Sequence, residues 1–311
     1  MSKLINHLPR SMHAWHAPST TLTTMHTSAY ILGAVAYAPK VITIWEGFKT
    51  YLAERDFAID FILYSNYETQ AEAMIAGDIQ FAWNSPLAWV RTERLARAQG
   101  RQAGVVVMRD TDIDLQSVLV VKAESALNNL ADLRGQTVGF GAIDSPQATL
   151  IPLDHMQHVG GLQPHKDFSV RRFDVLGGKH GDHIGGERLA AAAMLKGEIA
   201  ASWMIAKNYR AFANEGLLPA GATRVLDSTG LYDHCIMSAA PGVDAAVSQR
   251  FGDLLLAMDW NDPPVRALLE LEGLKQWQPA RTEGFALLER AATEQGFYDE
   301  QGRIVAQDYR Y

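Results

Sequence analysis

The sequence predicts a two-lobed α/β protein with mainly parallel sheets and a central ligand cleft between the lobes. Three observations carry this reading. Short β-like runs alternate with helical patterns, as they do where helices connect neighbouring strands. The alternation runs twice, broken by a polar stretch after Arg109. The chain has 311 residues, 48% of them hydrophobic, which is enough for two separate cores.

In the first series, strands are predicted over residues 31–36, 59–63, 79–83 and 103–108. Pro39 opens a helical pattern through Ile42, Trp45, Phe48 and Leu52. Two more helices are expected, over 67–76, stopped by Gly77, and over 85–98, with Pro86 in the first turn. Asp110, Asp112 and Asp114 then mark a polar turn. The second series has strands over 116–121, 137–140, 168–173, 199–204 and 224–226 and helices over 145–159, 183–196 and 206–214; a strand over 232–238 leads back to a helical tail. Ala73-Met74-Ile75-Ala76-Gly77-Asp78-Ile79 matches Ala193-Met194-Leu195-Lys196-Gly197-Glu198-Ile199 in rhythm, so the halves read as similar lobes. The crossings fall near 109–116 and 229–237. Residues 30–110 and 236–311 then form one lobe and 111–235 the other, behind a polar arm over 1–29.

Composition narrows the partners. The net charge is −7 and no long basic run occurs, which argues against a nucleic-acid surface. The single cysteine, Cys235, permits no internal disulfide and reads as a small buried residue. No run of about 18 apolar residues is present to span a membrane. The arm carries His7, His13, His16 and His26 but no apolar leader segment. The expectation is a periplasmic protein if a leader was removed, and a cytoplasmic one otherwise.

Four turns after predicted strands are the places for chemistry, because ligands of open α/β sheets sit beyond the carboxyl ends of strands. They are 37–40, 83–86, 143–147 and 177–183. Two contain Ser-Pro, at Ser85-Pro86 and Ser145-Pro146. Serine caps a helix and proline suits its first position, so each turn launches a helix whose free N–H groups and dipole favour an anion. Taken singly, such a turn is only a cap. With one in each half, the expectation is a clamp on one oxyanion from both sides. Trp45, Trp83 and Trp89 read as core packing or as cleft lining.

The stretches Ile31–Lys40, Tyr64–Trp89, Gln136–Leu153 and Gly177–Phe212 resemble the phosphate/phosphite/phosphonate-binding component of ABC importers, of the type II periplasmic-binding-protein-like superfamily. The resemblance implies a solute-binding protein for a small anionic ligand, with an ABC permease as partner. Asp144-Ser145-Pro146-Gln147-Ala148-Thr149 is similar to that family's oxygen-gripping loop, and Gly178-Lys179-His180 to its Gly-Ser-His turn. It implies a ligand site of Tyr37, Asn84, Ser85, Asp144, Ser145, Gln147, Thr149, Lys179 and His180.

The departures open an alternative. Lys179 replaces a small hydroxyl residue and adds a positive charge. His180, Asp182, His183, Glu187 and His234 are metal-type donors, with His183 and Glu187 at i, i+4. Glu46, Asp144, Asp233 and Cys235 could join them. A divalent transition metal held there would make a cytoplasmic enzyme acting on a small anionic substrate. The competing assignment is structural: Asp182 caps a helix, and Asp233 and His234 tie the hinge. No cofactor is firmly implied, and no nucleophile-His-Asp relay or Gly-rich phosphate signature is recognisable. A cytoplasmic sensor without turnover is the third reading.

Overall fold

The computed structural model describes residues 29–311. The N-terminal arm and its histidines lie outside that range, apart from residue 29. The chain begins with β1 (Tyr30–Val35), α1 (Lys40–Ala53), β2 (Ile59–Tyr64), α2 (Tyr67–Ala76), β3 (Phe81–Asn84), α3 (Pro86–Ala98) and β4 (Gly104–Arg109). It then crosses to β5 (Ser117–Lys122), β6 (Thr137–Phe140), α4 (Ile151–His158), β7 (Ser169–Arg172), α5 (Gly185–Leu195), β8 (Ala201–Ile205), α6 (Ala206–Asn214) and β9 (Thr223–Ser228). It returns through β10 (Ile236–Ala239), α7 (Ala245–Leu256), α8 (Pro263–Glu272), β11 (Trp277–Pro279) and α9 (Ala286–Glu294).

Two sheets result, ordered β11-β4-β10-β3-β1-β2 and β7-β6-β8-β5-β9. The pairs joined by helical crossovers, β1 with β2 and β3, and β6 with β7 and β8, are parallel. The strands next to the crossings, β5 and β10, and the late β11 run antiparallel to their neighbours. Each sheet is therefore mixed, because a strand arriving from the other lobe enters from the opposite end.

The lobes repeat one packing device. Gly33 in β1 lies so close to Ile79 that a Cβ there would sit 2.5 Å from its Cδ1. Gly139 in β6 meets Ile199 in the same way, at 2.4 Å. Each isoleucine follows a helix stopped by a glycine with positive φ, Gly77 at 88° and Gly197 at 78°. The matched segments noted in the sequence thus occupy equivalent places.

Leu32, Ile44, Phe48, Phe81 and Trp277 build the core of the first lobe. Trp45 belongs to that core, and Trp89 packs beside Phe285 in another cluster. In the second lobe, Val138, Phe140 and Trp203 pack together, as do Val120, Met194 and Phe212 in a separate cluster. A further cluster joins Leu87 and Val90 of α3 to Leu150 and Ile151 and to Leu288, Phe297, Tyr298 and Tyr309. The C-terminal segment therefore bridges both lobes instead of belonging to the first alone. Where the two crossings run side by side, Leu115 and Tyr232 exchange backbone hydrogen bonds of 2.7 and 2.9 Å.

Candidate ligand cleft

Both Ser-Pro turns cap helical segments. Ser85 Oγ accepts from Ala88 N at 3.1 Å, and Ser145 Oγ from Ala148 N at 3.2 Å. The second segment opens as one wide turn, Pro146–Leu150, in which Leu150 N reaches Ser145 O at 3.0 Å. Such wide turns recur at functional sites.

The space between the two serines is filled by the protein's own loop, residues 177–183. Asp144 anchors this loop on the second lobe, accepting from Gly178 N at 2.7 Å and His180 N at 3.2 Å. The loop then grips the first lobe. Tyr67 N donates to Gly178 O at 3.0 Å. Lys179 Nζ donates to Ala36 O at 3.0 Å and to Ser65 O. His180, at φ 48°, places Nδ1 2.7 Å from Ser85 Oγ and Nε2 3.1 Å from Glu68 Oε1. Its ring stacks on Tyr67, whose hydroxyl bonds Asp182. Glu68 is buried; burial opposes its charge, but His180 and Arg91 hold its carboxyl below the usual range.

In this structure the place of the expected two-sided clamp by Ser85 and Ser145 is taken by His180 and Gly181 of this loop. Asn84 is buried between Gln70 and Ser238 at 2.8 and 2.7 Å, and Thr149 donates to Ala142 O at 2.7 Å. Asn84, Ser85, Asp144, Ser145, Thr149, Lys179 and His180 thus pack and latch the closed cleft. Tyr37 and Gln147 face a cavity.

That cavity, of about 200 Å³, lies between the lobes at two other helix starts. Lys40 is the first residue of α1 and Lys207 the second of α6, and both line it. Arg109, Trp83, Asp182, Asn208, His234 and Cys235 also contribute. The Arg109 guanidinium lies 5.2 Å from the Trp83 ring. It donates to both Asp112 oxygens, to Glu272 O at 2.9 Å and to Glu272 Oε1 at 3.2 Å. Burial opposes charge on Asp112, but Arg109 and His234 hold it well below the usual carboxylate range. Burial pushes Glu272 up to about 7 against the pull of Arg109. Burial, with Glu272 and Asp182 nearby, also raises Tyr37, so its phenol stays a neutral donor.

The five predicted metal donors do not converge. His180 bonds Ser85 and Glu68, and Asp182 bonds Tyr67. His183 is exposed, with Nδ1 accepting from Gly185 N. Glu187 is buried and accepts from Ile205 N at 3.1 Å and Asn208 at 2.9 Å, tying down the start of α6. Among the described residues, the donor groups within 4.8 Å of one another are Asp112, His234 and Cys235, and Asp154, His158 and Glu294. Glu46 and Asp233 belong to neither; Asp233 pairs with Arg281 at the hinge.

The family model described as the periplasmic phosphonate substrate-binding protein of ABC transporters matches residues 34–285. The chain belongs to that family. It is a solute-binding protein, and the enzyme alternative gains nothing from the scattered donors. Solved structures share its fold at low identity. Prochlorococcus marinus PhnD1, in complex with methylphosphonate, has a TM-score of 0.64 at 16% identity over 86% of this chain and 98% of its own. A Xanthomonas citri protein bound to ATP reaches 0.68 at 15%, with the same coverage. The Escherichia coli aliphatic sulphonate-binding protein SsuA gives 0.54 at 16%, over 90% of this chain and 94% of its own. No helix among the described residues is long and apolar enough to cross a membrane.

For this phosphonate-family binding protein, sequence reasoning missed Lys40, Arg109 and Lys207 as a group. Lys40 stands in a turn already singled out, and Arg109 at the end of a predicted strand. Lys207 carried one usable signal, its position at the start of a helix directly after a strand.

Proposed function

We propose that this binding protein holds a small oxyanion of the phosphonate or phosphate class in the cavity between the starts of α1 and α6. The observation that carries this is the pairing of Lys40 and Lys207, one from each lobe, around a cavity that also contains Arg109. Helix starts attract anions through free N–H groups and the dipole, and each lysine adds a full charge at that end. Tyr37, Gln147 and Asn208 supply neutral polar contacts. Because the two lysines come from different lobes, the ligand rewards closure. The closed form is then the signal read by an ABC permease, with the chain working in the periplasm.

Titration calorimetry on chelator-treated protein with methylphosphonate, phosphite, phosphate and sulfate tests this. At least one anion is expected to bind, and Lys40→Ala and Lys207→Ala each to weaken it about tenfold or more, roughly 1.4 kcal/mol. An intact protein that binds none of them, or binds one equally well in both variants, overturns the proposal.

A further inference from the structure

The geometry points to a transition-metal site of the zinc class on the floor of the cavity, formed by Cys235 Sγ, His234 Nδ1 and Asp112, with an open fourth position towards the cavity. Neither the phosphonate-family assignment nor the anion proposal requires it. Of the donors expected from the sequence, only His234 and Cys235 belong to it, and Asp112 is new.

His234 Nδ1 lies 3.1 Å from Cys235 Sγ and 3.6 Å from Asp112 Oδ1. Cys235 Sγ lies 3.9 Å from Asp182 Oδ1. Zinc bonds near 2.3 Å to sulfur and near 2.0–2.1 Å to nitrogen or oxygen make tetrahedral edges of about 3.3–3.6 Å. The 3.1 and 3.6 Å separations depart from those edges by only a few tenths of an ångström, and all three donor atoms lie within 4.8 Å of one another. Asp112, His234 and Cys235 are all buried, and His234, Cys235 and Asp182 line the cavity, so an ion has a route in.

His234 is also oriented from behind. Its Nε2 lies 3.4 Å from Gln147 Oε1. The Gln147 amide nitrogen is committed to Gly181 O at 2.9 Å, which turns its oxygen towards the histidine. With Nε2–H donated to that oxygen, Nδ1 presents a lone pair to the cluster, as metal-binding histidines do. The Tyr67 hydroxyl bonds Asp182 Oδ2, leaving Oδ1 towards Cys235. In that tautomer, His234 Nδ1 and Asp182 Oδ1 both face the one weak S–H donor of Cys235, which can serve only one of them.

Arg109, Lys40 and Lys207 line the same cavity and oppose a cation. Arg109 pairs with Asp112 and Glu272 in the same patch. Binding therefore rests on the bonds that the three donors make and not on a surplus of negative charge. On binding, the Cys235 proton leaves to solvent and sulfur becomes a ligand.

The test uses the full chain, stripped with a chelator and titrated with Co(II) and then Zn(II). Cys235 is the only cysteine in the sequence, so a near-ultraviolet thiolate-to-Co(II) band reports this site and none of the arm histidines. The expected result is about one equivalent of Co(II) with that band, displaced by Zn(II). Cys235→Ala removes the band, and His234→Ala weakens binding about tenfold. Binding without the band, or less than about a tenth of an equivalent bound, overturns the site. Anion titration in chelator-treated protein is read separately, so failure of either proposal is recognisable by itself.

Discussion

Ser85 Oγ and His180 Nδ1 lie 2.7 Å apart, joining a helix cap of the first lobe to a loop of the second. The contact makes closure of the cleft a property of the chain as well as of its ligand. His180→Ala removes it and leaves the buried Glu68 with Arg91 and Tyr298 as remaining partners. The expected cost is about 1–3 kcal/mol of stability, with a larger radius of gyration for the ligand-free protein by solution X-ray scattering. An unchanged scattering curve and melting temperature would remove the latch from the account.

Lys179→Ala separates closure from core stability. Its ammonium reaches Ala36 O and Ser65 O from the opposite lobe, and it is largely at the surface. The variant is expected to melt within about 1 kcal/mol of the wild type yet to open more readily. A distance measured between spin labels on the two lobes should broaden towards longer values; an identical distribution contradicts this.

Glu272 gives a pH dependence whose sign is fixed. Its folded pKa, about 7, lies above the ordinary glutamate value of about 4.3. The folded state therefore holds this proton more tightly than the unfolded one. Stability from this group falls as pH rises from about 4.3 to about 7 and is flat above that. Ionised Glu272 also offsets the Arg109 charge, so anion affinity should weaken as pH rises through about 7. Both slopes should flatten in Glu272→Gln, measured by urea unfolding and by titration at pH 5, 6, 7 and 8. Equal slopes in the two proteins would show that Glu272 does not titrate there.

The repeated glycines make a paired prediction. Gly33→Ala and Gly139→Ala each drive a methyl against an isoleucine, Ile79 or Ile199. Overpacking of this kind costs typically about 1–3 kcal/mol, and the two costs should be similar because the lobes are built alike. Urea unfolding of both variants checks this; a neutral effect in one lobe and a severe one in the other would show that the equivalence is only formal.

The elements were readable because their signals are local. The helix that Gly77 stops, the Ser85-Pro86 and Ser145-Pro146 caps, and the matched segments ending at Ile79 and Ile199 depend on neighbours in sequence. The cleft was less readable because its contents are set by tertiary placement. Nothing near Lys179 or His180 in sequence shows that they reach Ala36, Ser65, Ser85 and Glu68. Ser145 was recognisable as a cap, but only the position of Gly181, where a Cβ would sit 2.5 Å from Ser145 Oγ, reveals that the space beside it is filled. The cavity lies at the starts of α1 and α6, and of the two Ser-Pro turns only the second reaches it, through Gln147.

The most direct test of where the anion sits is a crystal structure of the protein with methylphosphonate. The account predicts an oxyanion within hydrogen-bonding reach of Lys40 and Lys207, with His180 still on Ser85. An oxyanion at the Ser145–Thr149 turn with His180 displaced from Ser85 would contradict it.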